Sequence, residues 1–86
     1  MKTLFEQGAP VLDVDAMLLA VARHMRKRVA AGHKSPYAAT YWARRFGLDR
    51  GKAARLDYAI GCAILAQIGH GREFDHLPVL RECWER

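Results

Sequence analysis

The sequence predicts an all-α fold, a small single-domain bundle of about four helices within 86 residues. Apolar residues recur at helical spacing through most of the chain, and Gly, Pro, Ser and Asp stand where helix caps and stops belong. Strands are disfavoured because apolar–polar alternation is brief and Ala and Arg predominate over Val, Ile and Thr. Without a repeat or linker, residues 1–86 form one domain, with residues 1–10 as an N-terminal arm.

The first helix is expected over residues 13–31, with Asp13 or Asp15 as N-cap and a stop before Gly32. Its buried stripe is Leu18, Val21, Ala22, Met25 and Val29. At about 100° per residue, the opposite side and its flanks carry Arg23, Arg26, Lys27 and Arg28. The helix is therefore amphipathic, with a basic outer face.

The second helix is expected over residues 36–46, with Ser35 as N-cap, Pro36 at the first helical position and a stop at Gly47. Its inner side is Ala39, Trp42, Ala43 and Phe46, whereas Tyr37, Tyr41, Arg44 and Arg45 project outward. This helix also combines an apolar inner side with a basic, aromatic outer side.

The third helix follows at once, over residues 50–68, with Asp49 as N-cap and Gly69 as its stop. Its inner stripe is Ala53, Leu56, Ile60, Ala63, Ile64 and Ile68. The other side of its second half is apolar too, through Gly61, Cys62 and Leu65, so we expect that half to be covered on both sides.

A last helix is expected over residues 76–85, capped by Asp75 and with Pro78 in its first turn. Leu77, Leu80, Cys83 and Trp84 share one face. Two roles fit that face: it covers helix three, or it pairs with a second subunit.

The formal net charge of +5 is concentrated in the middle of the chain. Residues 21–55 hold ten Lys and Arg and one acidic residue, Asp49, which is a net charge of +9, and the segments on either side each carry −2. Such a block attracts polyanions, because Lys and Arg release counterions when they neutralise phosphates. Nucleic acid is the first candidate partner, an acidic protein surface is the second, and a merely solvated face is the bland alternative.

Helices two and three meet across a short corner at Gly47. A steep crossing needs a residue that accepts a positive φ and a small side chain that allows close approach, and Gly47 and Ala43 supply these features. Leu48 then fills the corner. The run 42–56 resembles the helix-turn-helix of DNA-binding regulators, through Ala43, Gly47, Leu48, Ala53 and Leu56, with Trp42 and Phe46 at flanking apolar positions.

The resemblance implies that the helix beginning at Arg50 is a recognition helix whose first residues face base edges in the major groove of duplex DNA. Arg50, Lys52 and Arg55 match its outward positions, and Arg or Lys donating to guanine is the commonest specific base contact. Tyr37, Tyr41, Arg44 and Arg45 would then contact phosphates. The rival hypothesis is a non-enzymatic interaction protein, such as a phage- or plasmid-type inhibitor or adaptor, that docks the same basic face on an acidic partner or nucleic-acid machine.

A homodimer is expected for the DNA-binding hypothesis, because one short basic helix buries too little surface for tight specific binding. The contact would involve helix four, through Leu80 and Trp84, or the back of helix three, around Tyr58, Gly61 and Leu65.

The remaining motifs indicate neither catalysis nor a cofactor. The spacings of the four His and of Cys62 and Cys83 do not match a metal site, and Gly69-His70-Gly71 is not a phosphate loop. We therefore expect no enzyme activity, no metal and no cofactor. The absence of a signal peptide or a long apolar stretch, together with two cysteines, favours a reduced, cytoplasmic protein.

Overall fold

A computed structural model describes residues 11–32, 36–71 and 73–86. It contains four helices, α1 (Val14–Ala30), α2 (Ala39–Phe46), α3 (Arg50–Gln67) and α4 (Leu77–Glu85), and no strand among the described residues. The predicted all-α class is confirmed. The N-terminal arm, Ser35 and His33 lie outside the described residues.

Two of the predicted caps form as the sequence indicates. The Asp13 carboxylate accepts a hydrogen bond from the backbone N–H of Ala16 at 3.0 Å, and that of Asp49 accepts one from Lys52 N–H at 2.8 Å. Both residues thereby satisfy backbone donors that have no partner within the helix.

At α4 the Asp75 carboxylate accepts from Leu77 N–H at 3.1 Å, and Pro78 stands in the first turn. The helix begins at Leu77, one residue later than expected.

Helix α2 begins three residues later than predicted, at Ala39 instead of Pro36. The backbone N–H of Tyr37 donates to His24 Nε2 at 3.2 Å, and the two rings lie 4.1 Å apart. These contacts hold the chain before Ala38 outside the helix, and Ala38 itself is extended, with φ −62° and ψ 156°. Pro36 therefore precedes the helix by several residues.

The core lies between α3, α4 and α1, and α2 packs on α3. Its buried apolar side chains come from every helix, and Trp42 is the single one from α2. They are Met17, Leu18, Val21, Ala22, Met25, Trp42, Leu56, Ala59, Ile60, Ala63, Leu80, Cys83 and Trp84. Helix α4 thus takes the first of its two expected roles and covers α3.

Two details of the expected core differ. Ile68, predicted on the inner stripe of α3, is 71% exposed, because the helix ends at Gln67 and Gly69, with φ +84°, turns the chain away. The second half of α3 is not covered on both sides as expected: Leu65 is 70% exposed, although Cys62 is half-buried against the core.

The corner between α2 and α3 has the predicted left-handed conformation. Gly47 has φ 66° and ψ 40°, and the carbonyl of Ala43 accepts hydrogen bonds from the N–H groups of both Gly47 and Leu48. Leu48 and Phe46 are half-buried against the core. This arrangement closes α2 and turns the chain directly into α3.

We predict that Gly47→Ala lowers the free energy of unfolding by about 1–2 kcal/mol, measured by urea denaturation. A Cβ at this position meets no atom within 4 Å, so the loss comes from the left-handed backbone alone. Gly51→Ala, inside the first turn of α3, is the matched control and should be neutral or stabilising by up to about 1 kcal/mol. Equal effects of the two substitutions would contradict a strained corner.

Candidate nucleic-acid interface

The outer face of α2 is aromatic and cationic, as predicted. Tyr41, Arg44 and Arg45 are exposed on it, and exposed Tyr37 lies just before it, with its ring 4.7 Å from that of Tyr41. The Arg45 guanidinium lies over the rings of Trp42 and Phe46, at 5.6 and 5.4 Å from their centroids. These ring faces hold the Arg45 cation in place. Arg45 has no carboxylate partner among the described residues.

Helix α1 contributes to the same surface, although the sequence did not predict any of its residues as a DNA contact. Arg23, His24 and Lys27 line a pocket of about 270 Å³ together with Ala20 of α1 and Tyr41, Trp42 and Arg45 of α2. Three cationic side chains thus meet at one pocket that no carboxylate lines. The basic outer face of α1 was visible in the sequence, but its meeting with α2 depends on the His24–Tyr37 contact, which no local pattern indicates.

His24 connects the two helices and is uncharged near neutral pH. Burial lowers the pKa of this imidazole, and the nearby charges of Arg28 and Lys27 lower it further. Its Nε2 accepts the hydrogen bond from Tyr37, so the ring proton resides on Nδ1. The ring also packs edge-on to Trp42, with centroids 5.5 Å apart.

The first turns of α3 carry the three cations expected to face DNA, and they differ in their surroundings. Lys52 is tied to the Asp49 carboxylate, with 3.4 Å between Nζ and Oδ2. Arg55 lies over the Trp84 ring, 5.2 Å from its centroid. Arg50 is exposed and has no partner among the described residues, so it is the least constrained of the three.

Asp49 remains a carboxylate beside these cations. The hydrogen bond from the Lys52 backbone N–H is the largest cause that lowers its pKa, followed by that from the Lys52 side chain. Its negative charge is therefore directed at the helix N-terminus and at Lys52.

The candidate residues form two groups. In the first group, Tyr41 and Arg45 line one pocket with Arg23 and Lys27 of α1. Tyr37 packs beside Tyr41, and exposed Arg44 neighbours Arg45 on α2. Arg50, Lys52 and Arg55 lie at the start of α3, and no hydrogen bond, ion pair or ring contact within the described ranges joins them to the first group. The Gly47 corner is the covalent link between the two groups.

The residues expected at a dimer contact fall into a buried set and an accessible set. Leu80 is fully buried and Trp84 is 5% exposed, so both pack inside the chain and offer no surface to a second copy. Tyr58, Gly61 and Leu65 instead line a shallow apolar groove of about 470 Å³ on α3, with Asp57, Cys62 and Ile64. Only this part of the expected contact is accessible.

The described residues contain no group of three His, Cys, Asp or Glu side chains arranged to hold a metal ion. Cys62 and Cys83 are free thiols on α3 and α4. The hydrogen bond between them, followed by burial, raises the pKa of the Cys83 thiol. Cys83 is therefore a protonated, packed side chain at neutral pH.

His76 is a buried polar residue that the sequence did not single out. It is 2% exposed, packs edge-on against Phe74 with centroids 5.1 Å apart, and neither ring nitrogen has a hydrogen-bond partner among the described residues. Burial lowers its pKa, Arg26 acts in the same direction, and Asp75 opposes them. The imidazole is therefore neutral in the folded protein.

Comparison with protein-family models, with curated proteins and with solved structures found no match to this chain. None of the described helices is both long and apolar enough to cross a membrane.

Protonation of His76 is expected to destabilise the fold. Because its pKa is lower when folded than in the unfolded chain, near 6.5, the free energy of unfolding falls as pH drops from about 6.5 toward the folded pKa, by at most about 1.4 kcal/mol per pH unit for this group. His76→Leu should flatten this dependence in urea denaturation between about pH 7.5 and 5.

His24 keeps its own lowered pKa in this variant, so part of the pH dependence should remain. An unchanged pH dependence of the free energy of unfolding in His76→Leu would show that burial of this histidine does not cause that dependence.

Proposed function

We propose that this protein is a small DNA-binding regulator that contacts duplex DNA with the basic surface around the Gly47 corner. The observation that carries the proposal is the combination of a left-handed corner at Gly47 with exposed cations on both helices that it joins. Two helices joined at such a corner have the geometry in which the second helix enters the major groove while the first lies across the DNA backbone.

The charge distribution supports a polyanion as the ligand. Residues 21–55 carry a net charge of +9, and Asp49, their one acidic residue, is used as the N-cap of α3. Arg44, Arg45 and Arg50 have no carboxylate partner within the described part of the chain. Cations that are not neutralised internally are available to phosphates.

Each group has a distinct role in the proposal. Arg50 donates to guanine in the groove, with Lys52 and Arg55 beside it. Arg44, Arg45, Tyr37 and Tyr41 contact phosphates and fix the position of α3 on the duplex. Arg55 also shields Trp84, so its replacement affects packing as well as binding.

We predict that Arg50→Ala with Arg55→Ala abolishes sequence preference. The preferred duplex is first selected from a random-sequence pool, and affinities for it and for a scrambled duplex are measured by fluorescence anisotropy. Each lost guanine contact should cost about 1–3 kcal/mol of discrimination. Far-UV circular dichroism should stay unchanged.

The control is Arg26→Ala with Arg81→Ala, which removes the same charge from two arginines that already pair with carboxylates, those of Glu73 and Asp15. It should retain the preference for the selected duplex. Equal losses in the two double variants would mean that net charge alone governs binding.

An acidic protein surface is the rival ligand, and poly-L-glutamate serves as its probe. Duplex DNA is favoured because the exposed cations form two groups, one on each side of the Gly47 corner, and not a single charged patch. Binding of poly-L-glutamate as tight as that of the selected duplex, at equal salt, would favour the rival.

We further propose that the regulator acts as a homodimer through the apolar groove of α3. Tyr58 and Leu65 are 51% and 70% exposed there, and Gly61 permits close approach of a second helix. The groove lies on the half of α3 that follows Arg55, so the first half of the helix remains available to DNA. A dimer would double the small surface that one short helix buries.

Leu65→Lys should weaken the dimer by about 2 kcal/mol or more, because it removes an apolar contact and introduces a charge at the interface. Sedimentation equilibrium measures the association constant. Val11→Lys is the matched control: Val11 is 94% exposed, lies away from the groove, and receives the same charge. The groove is not the interface if both variants associate as the unsubstituted protein does.

A further inference from the structure

We infer that the pocket between α1 and α2 is a phosphate-binding site, in which Arg23, Lys27 and Arg45 hold one phosphate group of the DNA backbone. That the phosphate belongs to DNA rests on the proposed function, whereas the binding of a phosphate in this pocket does not. Arg23, His24, Lys27 and Trp42 are new as site residues.

The charge of the pocket selects an anion. Its lining contains three cations, from two helices, and no carboxylate. None of the three forms an ion pair with a described residue, although other exposed arginines of the chain do, such as Arg26 with Glu73 and Arg81 with Asp15. An anion at this place gains three charge-assisted contacts without displacing a bound carboxylate.

Trp42 forms a fixed part of the pocket wall. It is 1% exposed, and its Nε1–H is buried and has no hydrogen-bond partner among the described residues. Because this nitrogen is buried, a ligand in the pocket lies beside the indole and does not reach the donor itself. The indole N–H signal therefore reports whether the pocket is occupied.

The pocket is small, and its lining side chains are held in place. Its volume is about 270 Å³, at the lower end of what small-molecule sites show. Arg45 is held over Trp42 and Phe46, and the Trp42 ring packs against His24, so the cation and the indole keep fixed positions relative to α1. Tyr41, at the pocket rim, adds a hydroxyl donor.

The test is a titration of ¹⁵N-labelled protein with inorganic phosphate, compared with sodium chloride at equal ionic strength. The two tryptophan indole N–H signals give the readout. Trp42 should shift saturably with phosphate, whereas Trp84, which lies under Arg55 and does not line the pocket, should not. No shift of Trp42, or the same shift in chloride, would overturn the inference.

Variants connect the signal to the cations. Lys27→Gln and Arg45→Gln should each weaken phosphate binding about tenfold, the effect of one charge-assisted hydrogen bond. Arg44→Gln is the matched control, because Arg44 neighbours Arg45 and loses the same charge but does not line the pocket. Lys27 makes no ring contact, so its variant remains informative if Arg45→Gln perturbs packing. Equal weakening of phosphate binding by all three substitutions would overturn the inference of a defined site.

A second arm with a short duplex identifies the source of the phosphate. The duplex should move the Trp42 indole in the same direction and displace inorganic phosphate. If the duplex binds and Trp42 does not respond, the pocket inference is overturned while the proposed function stands. If phosphate binds but no duplex does, the backbone source and the proposed function fail together, and the pocket remains a site for a free phosphate.

Discussion

The left-handed turn at Gly47 is the constraint on which the architecture of the basic surface depends. It ends α2 after eight residues and starts the 18-residue α3 at Arg50, so the cationic face of α2 and the cationic first turns of α3 are held at a fixed corner. The carbonyl of Ala43 accepts two backbone hydrogen bonds across the corner, and Leu48 fills it. A residue with a Cβ would strain this turn, and the relative position of the cations on α2 and α3 would change with it.

Trp42 joins the stability of the fold to the chemistry of the surface. It is the one buried side chain of α2, so it fastens that helix to the core. The same indole supports the Arg45 cation and packs against His24, which in turn accepts the hydrogen bond that delays the start of α2. Loss of this side chain would therefore disturb core packing and the cationic pocket together, and binding data on such a variant would not separate the two.

The sequence was most informative where the determinants are local. Caps at Asp13 and Asp49, the left-handed glycine and the helical period are properties of a few neighbouring residues, and these features were confirmed. The predicted start of α2 was wrong. The sequence Ser35-Pro36 is typical of a helix start, but the hydrogen bond between Tyr37 and His24, thirteen residues earlier, holds this segment outside the helix. Non-local contacts of this kind leave no periodic signal.

The candidate site shows the same division. Outward positions on α2 and α3 followed from helical geometry, but the meeting of Arg23 and Lys27 with Arg45 is a tertiary contact. The sequence predicted Leu80 and Trp84 at a dimer contact. In a sequence, an apolar helix face has the same pattern whether it packs against its own chain or against a second copy. Here the face packs against α3. The buried His76 was missed for a related reason, since the segment that carries it lies against α1, where His76 lines a pocket with Ala22 and Arg26.

The most direct measurement of whether this surface binds DNA is the salt dependence of the affinity of the unsubstituted protein for duplex DNA. Contacts between several Lys and Arg and phosphates should make the logarithm of the association constant fall linearly with the logarithm of salt concentration, with a slope of about −0.9 per phosphate neutralised. A slope corresponding to several phosphates agrees with a surface built from α1, α2 and the start of α3. The absence of any complex with duplex DNA at about 50 mM salt, where even non-specific phosphate contacts are strong, would contradict it.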